Sequence, residues 1–254
     1  MPLSALQYLD LTANRLKQIE PNLANLQHLT WLCLRQNLLP CAPEVESLQS
    51  GPSLCHLELR DNQFTEIPSL RNFTSLTYLE LSYNEIRSMA PLEYLNAPRL
   101  EELYLAQNKI SEVHGISQLT SLRILELGNN RIKSIQNIES LLNLQELWLG
   151  RNRITEITGL GLLSNLKRLS LQSNRITSLR GLESCTALEE LYISHNGITS
   201  IEVSVVCTLS PFNVVLIQYS SNVVFSSGVG IAFKPSNPRH RKQHGVLPWF
   251  VYNF

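Results

Sequence analysis

Apolar positions fall in a fixed rhythm along most of this chain. Leucines spaced L-x-x-L-x-L are followed three residues later by an asparagine, and two residues after that by Leu, Ile or Phe. The asparagines are Asn14, Asn37, Asn62, Asn84, Asn108, Asn130, Asn152, Asn174 and Asn196, separated by 23, 25, 22, 24, 22, 22, 22 and 22 residues. The last two leucines of each unit stand two apart, the spacing that places side chains on one face of an extended strand. Beyond the asparagine the apolar spacing lengthens to three, as in Ile132, Ile135, Ile138 and Leu141. This predicts a short strand, a tight turn and a return of 3-10 or irregular turns, because a 22-residue unit leaves too few residues for a long helix.

A phrase of this form at this period is the signature of a leucine-rich repeat solenoid. The expected fold is of α/β type, with a curved parallel sheet on the concave face and turns or short 3-10 or helical segments on the convex face. One unit cannot bury its apolar face alone, so stability must be collective. Nine repeats are expected over residues 1–201, with a non-repeat tail over 202–254. The longer spacings coincide with Pro21, with the stretch from Pro40 to Pro52 and with Pro91 to Pro98, which predicts lengthened return loops there. The nine asparagines are expected to form a structural ladder of buried amides that bond free backbone groups of the turns.

The residue between the last two leucines points away from the core. Those positions hold Asp10, Cys33, Glu58, Glu80, Tyr104, Glu126, Trp148, Ser170 and Tyr192. At a strand spacing of about 4.8 Å the row is about 38 Å long. Two residues earlier stand Tyr8, Trp31, His56, Tyr78, Ile124, Glu146 and Arg168. Aromatic side chains mixed with carboxylates in a contiguous exposed row are the material of protein interfaces. Glu58, Glu80, Tyr104, Glu126, Trp148 and Tyr192 are therefore the candidate partner-binding residues, with Tyr104 and Trp148 flanking Glu126.

Composition narrows the alternatives. Lys and Arg number 21, as do Asp and Glu, so a net charge of zero supplies no argument for nucleic acid or an anionic membrane surface. The five cysteines are an odd number without C-x-x-C spacing, which suits reduced thiols, and the first residues do not read as a signal peptide. The histidines form no ligand-like spacing. Gly159-Leu160-Gly161 lacks the third glycine of a dinucleotide loop. Glu80, Glu126 and Glu146 could act as acid and base only in a desolvated cleft, which an open sheet is not expected to provide. No enzyme, cofactor or metal is expected.

Finer features carry a resemblance. They are the I-x-x-I return after the asparagine and the phrases Leu34-Arg35-Gln36-Asn37-Leu38, Leu125-Glu126-Leu127-Gly128, Leu149-Gly150-Arg151-Asn152, Gln172-Ser173-Asn174-Arg175 and Leu191-Tyr192-Ile193-Ser194-His195-Asn196-Gly197-Ile198. Over roughly residues 6–201 the chain resembles the regulatory leucine-rich repeat subunits of protein phosphatase 1. That resemblance implies a non-catalytic subunit, nuclear and cytoplasmic, that holds the phosphatase catalytic subunit on its concave face. Glu80, Tyr104, Glu126 and Trp148 are the matching contact positions. The chain is expected to be monomeric before binding. A generic adaptor for a cytoskeletal or ciliary partner, and a membrane-tethered recognition protein, stay open.

After Ile201 the rhythm stops. Residues 203–233 carry no formal charge, and a basic cluster of Lys234, Arg239, Arg241 and Lys242 follows. Further repeats and a cap, which the resemblance would imply, are not legible. The tail reads as a membrane anchor interrupted by Pro211, Asn213, Gln218 and Asn222, as a divergent cap or disordered extension, or as translated non-coding sequence. The abrupt loss of pattern favours the last. Ile217 to Phe225 is β-prone and apolar, an aggregation risk.

Overall fold

The computed structural model describes residues 5–201, together with the backbone of Val214–Leu216 and Val224–Phe225. Each repeat contributes one three-residue strand: β1 (Tyr8–Asp10), β2 (Trp31–Cys33), β3 (His56–Glu58), β4 (Tyr78–Glu80), β5 (Glu102–Tyr104), β6 (Ile124–Glu126), β7 (Glu146–Trp148), β8 (Arg168–Ser170) and β9 (Glu190–Tyr192). All pair in parallel with their sequence neighbours in one unbroken register, so that Leu57, Leu79, Leu103, Leu125, Leu147, Leu169 and Leu191 form a single file. The parallel solenoid predicted from the repeat is the observed fold.

β10 (Ser200–Ile201) leaves the array and pairs with β12 (Val224–Phe225), while β11 (Val214–Leu216) lies parallel to β9. The rest of the tail lies outside the described residues, including the basic cluster and most of the Ile217–Phe225 segment. The three readings of the tail fall there too. Among the described residues no helix is long and apolar enough to cross a membrane.

The core is one continuous apolar column. Leu122, Leu125, Leu127, Ile132, Leu141 and Leu144 are fully buried, with Ile135 and Ile138 close to it, and every central repeat supplies equivalent residues. Among the described residues, helical pieces occur only where the repeat is lengthened. They are 3-10 turns at Pro21–Asn25, Gly51–Ser53 and Ala90–Tyr94 and a four-residue α-helix at Pro43–Glu46. Each carries a proline in its first two positions, where a missing N–H leaves no bond unmade. The 22-residue repeats return by turns and bends alone.

Two ladders fasten the repeats together. In the first, the Asn130 amide nitrogen donates to the carbonyls of Leu105, Leu127 and Gly128 at 2.9, 3.1 and 3.4 Å, while its oxygen accepts the Ile110 N–H at 2.9 Å. One side chain thus closes its own turn and clamps the preceding repeat. Asn37, Asn62, Asn84, Asn108, Asn130 and Asn152 are buried, and Asn174 and Asn196 half-buried. Asn14 departs from the expected buried ladder: it is exposed and, among the described residues, bonds only Leu11 and Thr12 of its own turn.

The second ladder is backbone geometry that the repeat phrase does not announce. The residue before each asparagine adopts a left-handed conformation, at Ala13, Gln36, Asp61, Tyr83, Gln107, Asn129, Arg151, Ser173 and His195, with φ between 53° and 58°. None is glycine, although this conformation costs other residues roughly 1–2 kcal/mol. The return is a bond across repeats, as when the Gln107 N–H donates to the Gly128 carbonyl at 2.8 Å.

Cys33 and Cys185 are buried, Cys55 is half-buried and Cys41 exposed, and all four are free. Burial pushes the Cys185 thiol up to about 11, which leaves little thiolate at neutral pH. Replacing Asn130 with Ala should cost about 1–3 kcal/mol in urea denaturation, because it strands buried backbone groups. Asn14→Ala, lacking the clamp, should cost clearly less in the same measurement.

Candidate interaction surface

Alternation along each strand sends its middle leucine into the core and its first and third residues onto the concave groove. Two parallel rows result. The outer row runs Tyr8, Trp31, His56, Tyr78, Glu102, Ile124, Glu146, Arg168 and Glu190. The inner row runs Asp10, Cys33, Glu58, Glu80, Tyr104, Glu126, Trp148, Ser170 and Tyr192. Glu102 and Glu190 complete the outer row beyond the seven positions named from the sequence.

The candidate residues Glu80, Tyr104, Glu126 and Trp148 sit on four adjacent strands in direct register and form one patch. Tyr192 joins it across Ser170, its ring 5.8 Å from that of Trp148 at an interplanar angle of 28°. Glu58 lies beside the patch, 2.8 Å from His56 Nε2. Each inner-row aromatic is fixed by a carboxylate two residues back on its own strand. The Tyr104 hydroxyl donates to Glu102 at 2.7 Å, Trp148 Nε1 to Glu146 at 3.1 Å, and the Tyr192 hydroxyl to Glu190 at 2.6 Å. Arg168 in turn bridges Glu146 and Glu190. Burial and the bond to Glu102 push the Tyr104 phenol well above its ordinary range.

Two expectations need correction. The inner row is not uniformly open to solvent. Cys33, Glu80 and Ser170 are buried, while Tyr104, Glu126, Trp148 and Tyr192 are half-buried. Ser170 lies between the Trp148 and Tyr192 rings, which approach each other across it. Glu80 is 5% exposed and is kept there by the Ser82 N–H at 2.7 Å and by Arg60 at 3.6 Å. Nor does the open sheet leave its carboxylates fully hydrated. Burial, aided by the charge of Glu80 and opposed by Arg60, raises the Glu126 carboxyl above its ordinary value.

Beside the patch lies a depression of about 390 Å³. Ala106, Gly128 and Gly150 follow the third leucine of successive repeats, and their small side chains leave backbone as the floor. Glu126, Trp148 and Ser170 form one wall and Gln107, Asn129 and Arg151 the other. The second wall comes from the left-handed turns, and sequence reasoning missed it because nothing in the phrase marks where those side chains aim. Arg60 closes one end, stacked over the Tyr83 ring at 4.4 Å. A Cβ at Gly128 would meet only the Gly150 carbonyl, at 3.5 Å, an ordinary van der Waals contact. Among the described residues no cluster of His, Cys, Asp and Glu could hold a metal ion.

The model for paired leucine-rich repeats matches residues 52–94, 98–141, 120–162 and 164–205, more than half of the chain. The chain belongs to the leucine-rich repeat family. Members of this family and fold are typically non-catalytic scaffolds, and the open groove is suited to protein–protein interaction. A protein phosphatase 1 regulatory inhibitor subunit homologue of Arabidopsis thaliana is 45% identical over 84 residues, 32% of this chain and 25% of that protein. A leucine-rich repeat protein of Leptospira interrogans superposes with a TM-score of 0.74 at 30% identity, over 80% of this chain and 52% of that one. Internalin C2 of Listeria monocytogenes superposes with a TM-score of 0.66 at 26% identity, over 74% and 80%. The chain thus spans a quarter of the curated relative and about half of the first structural one.

A carboxyl whose folded pKa exceeds its unfolded value holds its proton more tightly when folded, so its ionisation opposes folding. The contribution of Glu126 to stability therefore falls as pH rises from the ordinary value of 4.5 through the raised one. Glu126→Gln should raise the melting temperature at neutral pH by about 1–2 °C, a small gain because the carboxylate stays partly wet. At pH 4, below the ordinary value, the gain should vanish. Paired thermal melts at the two pH values test this.

Proposed function

We propose that this chain is a non-catalytic regulatory subunit that binds the catalytic subunit of protein phosphatase 1 through its concave face. The observation that carries the reading is the 45% identity over 84 residues with the Arabidopsis regulatory inhibitor subunit homologue. The surface is compatible with that role. Glu80, Tyr104, Glu126 and Trp148 form the centre of the contact, with Glu58 and Tyr192 at its margins. The aromatic rings are held in place by Glu102, Glu146 and Glu190 before any partner arrives, so little side-chain freedom is lost on binding. Glu126 is half-desolvated while still facing the depression, and a basic side chain of the partner seated there adds to the counter-charge that Arg60 supplies. The subunit acts in the nucleus and cytoplasm and is monomeric until it binds.

Titrating the purified chain into the phosphatase catalytic subunit tests the reading. Binding is expected, with Trp148→Ala weakening it by about 2 kcal/mol, roughly thirtyfold, as for a central anchor. Gly128→Leu, which fills the depression, should weaken it as well. A chain that circular dichroism shows to be folded yet does not bind would overturn the assignment.

A further inference from the structure

The first four repeats carry a feature that the phosphatase reading does not use. Tyr8, Trp31, His56 and Tyr78 open four consecutive strands and stand in direct register. Their rings stack face to face along the groove. The centroids are 4.0 Å apart for Tyr8 and Trp31, 4.9 Å for Trp31 and His56 and 4.1 Å for His56 and Tyr78, with interplanar angles of 12°, 12° and 9°. Tyr104 continues the series at 5.3 Å but tilts by 41°, which marks where the ladder stops and the central patch begins.

The strip is bordered by negative charge. Asp10, Glu58 and Glu80 occupy the inner row alongside it, and Glu102 follows Tyr78 in the outer row. After burial, the carboxylates of Glu80, Glu58 and Glu102 raise the Tyr78 phenol, and Arg60 alone works against them. That guanidinium is itself engaged by Glu80 and the Tyr83 ring. Arg35 acts on Asp10 and His56 Nε2 contacts Glu58, so four carboxylates along the strip face two guanidinium groups and one imidazole.

This chemistry selects the occupant. The inner faces of the ladder are covered by one another, so neither a nucleobase nor a sugar ring can stack within it, and the carboxylates repel phosphate. What the ladder offers a guest is a strip of ring edges and polar tips beside carboxylates. Such a strip fits apolar side chains on the rings and cations beside them. At about 3.3 Å per residue, four or so residues of extended chain would span it.

We propose that the strip Tyr8–Trp31–His56–Tyr78, with Glu58, Glu80 and Glu102 beside it, is a second docking surface that adjoins the Glu126–Trp148 patch and shares Glu58 and Glu80 with it. Its occupant is an extended polypeptide segment that alternates arginine or lysine with apolar residues. The proposal does not rest on the phosphatase reading, because its test contains no phosphatase.

A fluorescein-labelled nonapeptide of alternating arginine and leucine is titrated into the full chain at about 150 mM salt, where only close charge pairs survive screening. Anisotropy is expected to report saturable binding, weakened at least tenfold by Trp31→Ala and by Glu58→Gln and kept by Trp31→Phe and Trp148→Ala. The same peptide with glutamate for arginine should not bind. The proposal is overturned by absence of binding, by equal binding of the acidic peptide, or by loss in Trp148→Ala. Trp31→Phe preserves a ring in the ladder, so it guards against a folding defect in the alanine variant.

Discussion

Everything in this molecule hangs on a bond that crosses from one repeat to the next. A three-residue strand cannot hold itself in place, and a 22-residue unit cannot enclose its own leucines. The asparagine amide solves both problems with one side chain. It saturates carbonyls of its own turn and of the preceding repeat, and it accepts an N–H from that repeat's return. Without it those buried backbone groups would be left unpaired. The left-handed residue just before it is the conformational cost of bringing that amide inward. Stability is therefore a property of neighbours, and Asn14, which is exposed and bonds within its own turn, shows a ladder position without the clamp.

Rigid repetition leaves the groove free to carry chemistry. Core and ladder positions are bound by packing, while the first and third residues of each strand are limited mainly by one another. On this chain they separate into two zones. Repeats one to four present stacked rings, whereas repeats five to nine alternate aromatics with carboxylates that orient them. Parallel register places like positions side by side, so any residue type repeated at one position becomes a continuous strip. The same geometry brings Glu80 and Glu126 close enough on a partly dried surface to disturb the Glu126 carboxyl. A shallow curved sheet can thus do some of what an enclosed pocket does, when tall aromatics stand around a short acid.

The repeat phrase alone determined the architecture. Leucine spacing dictated strand and face, the asparagine dictated the turn, and the prolines marked the lengthened return loops, in which the structure then places the short helical pieces. It also determined which side chains share the groove, because alternation in a strand is local geometry. Tertiary structure decided how those side chains treat one another. Burial of Glu80, the stacking of Tyr8 through Tyr78, and the depression over Gly128 arise from contacts between residues some 22 positions apart. Rotamer, tilt and dryness at one strand depend on the bulk of its two neighbours, and a linear pattern of residue types does not encode that. The left-handed turn residues are the clearest case. Their identities follow no rule, and at eight of the nine, all but His195, the N–H bonds a carbonyl of the next repeat, a contact that the linear phrase does not mark.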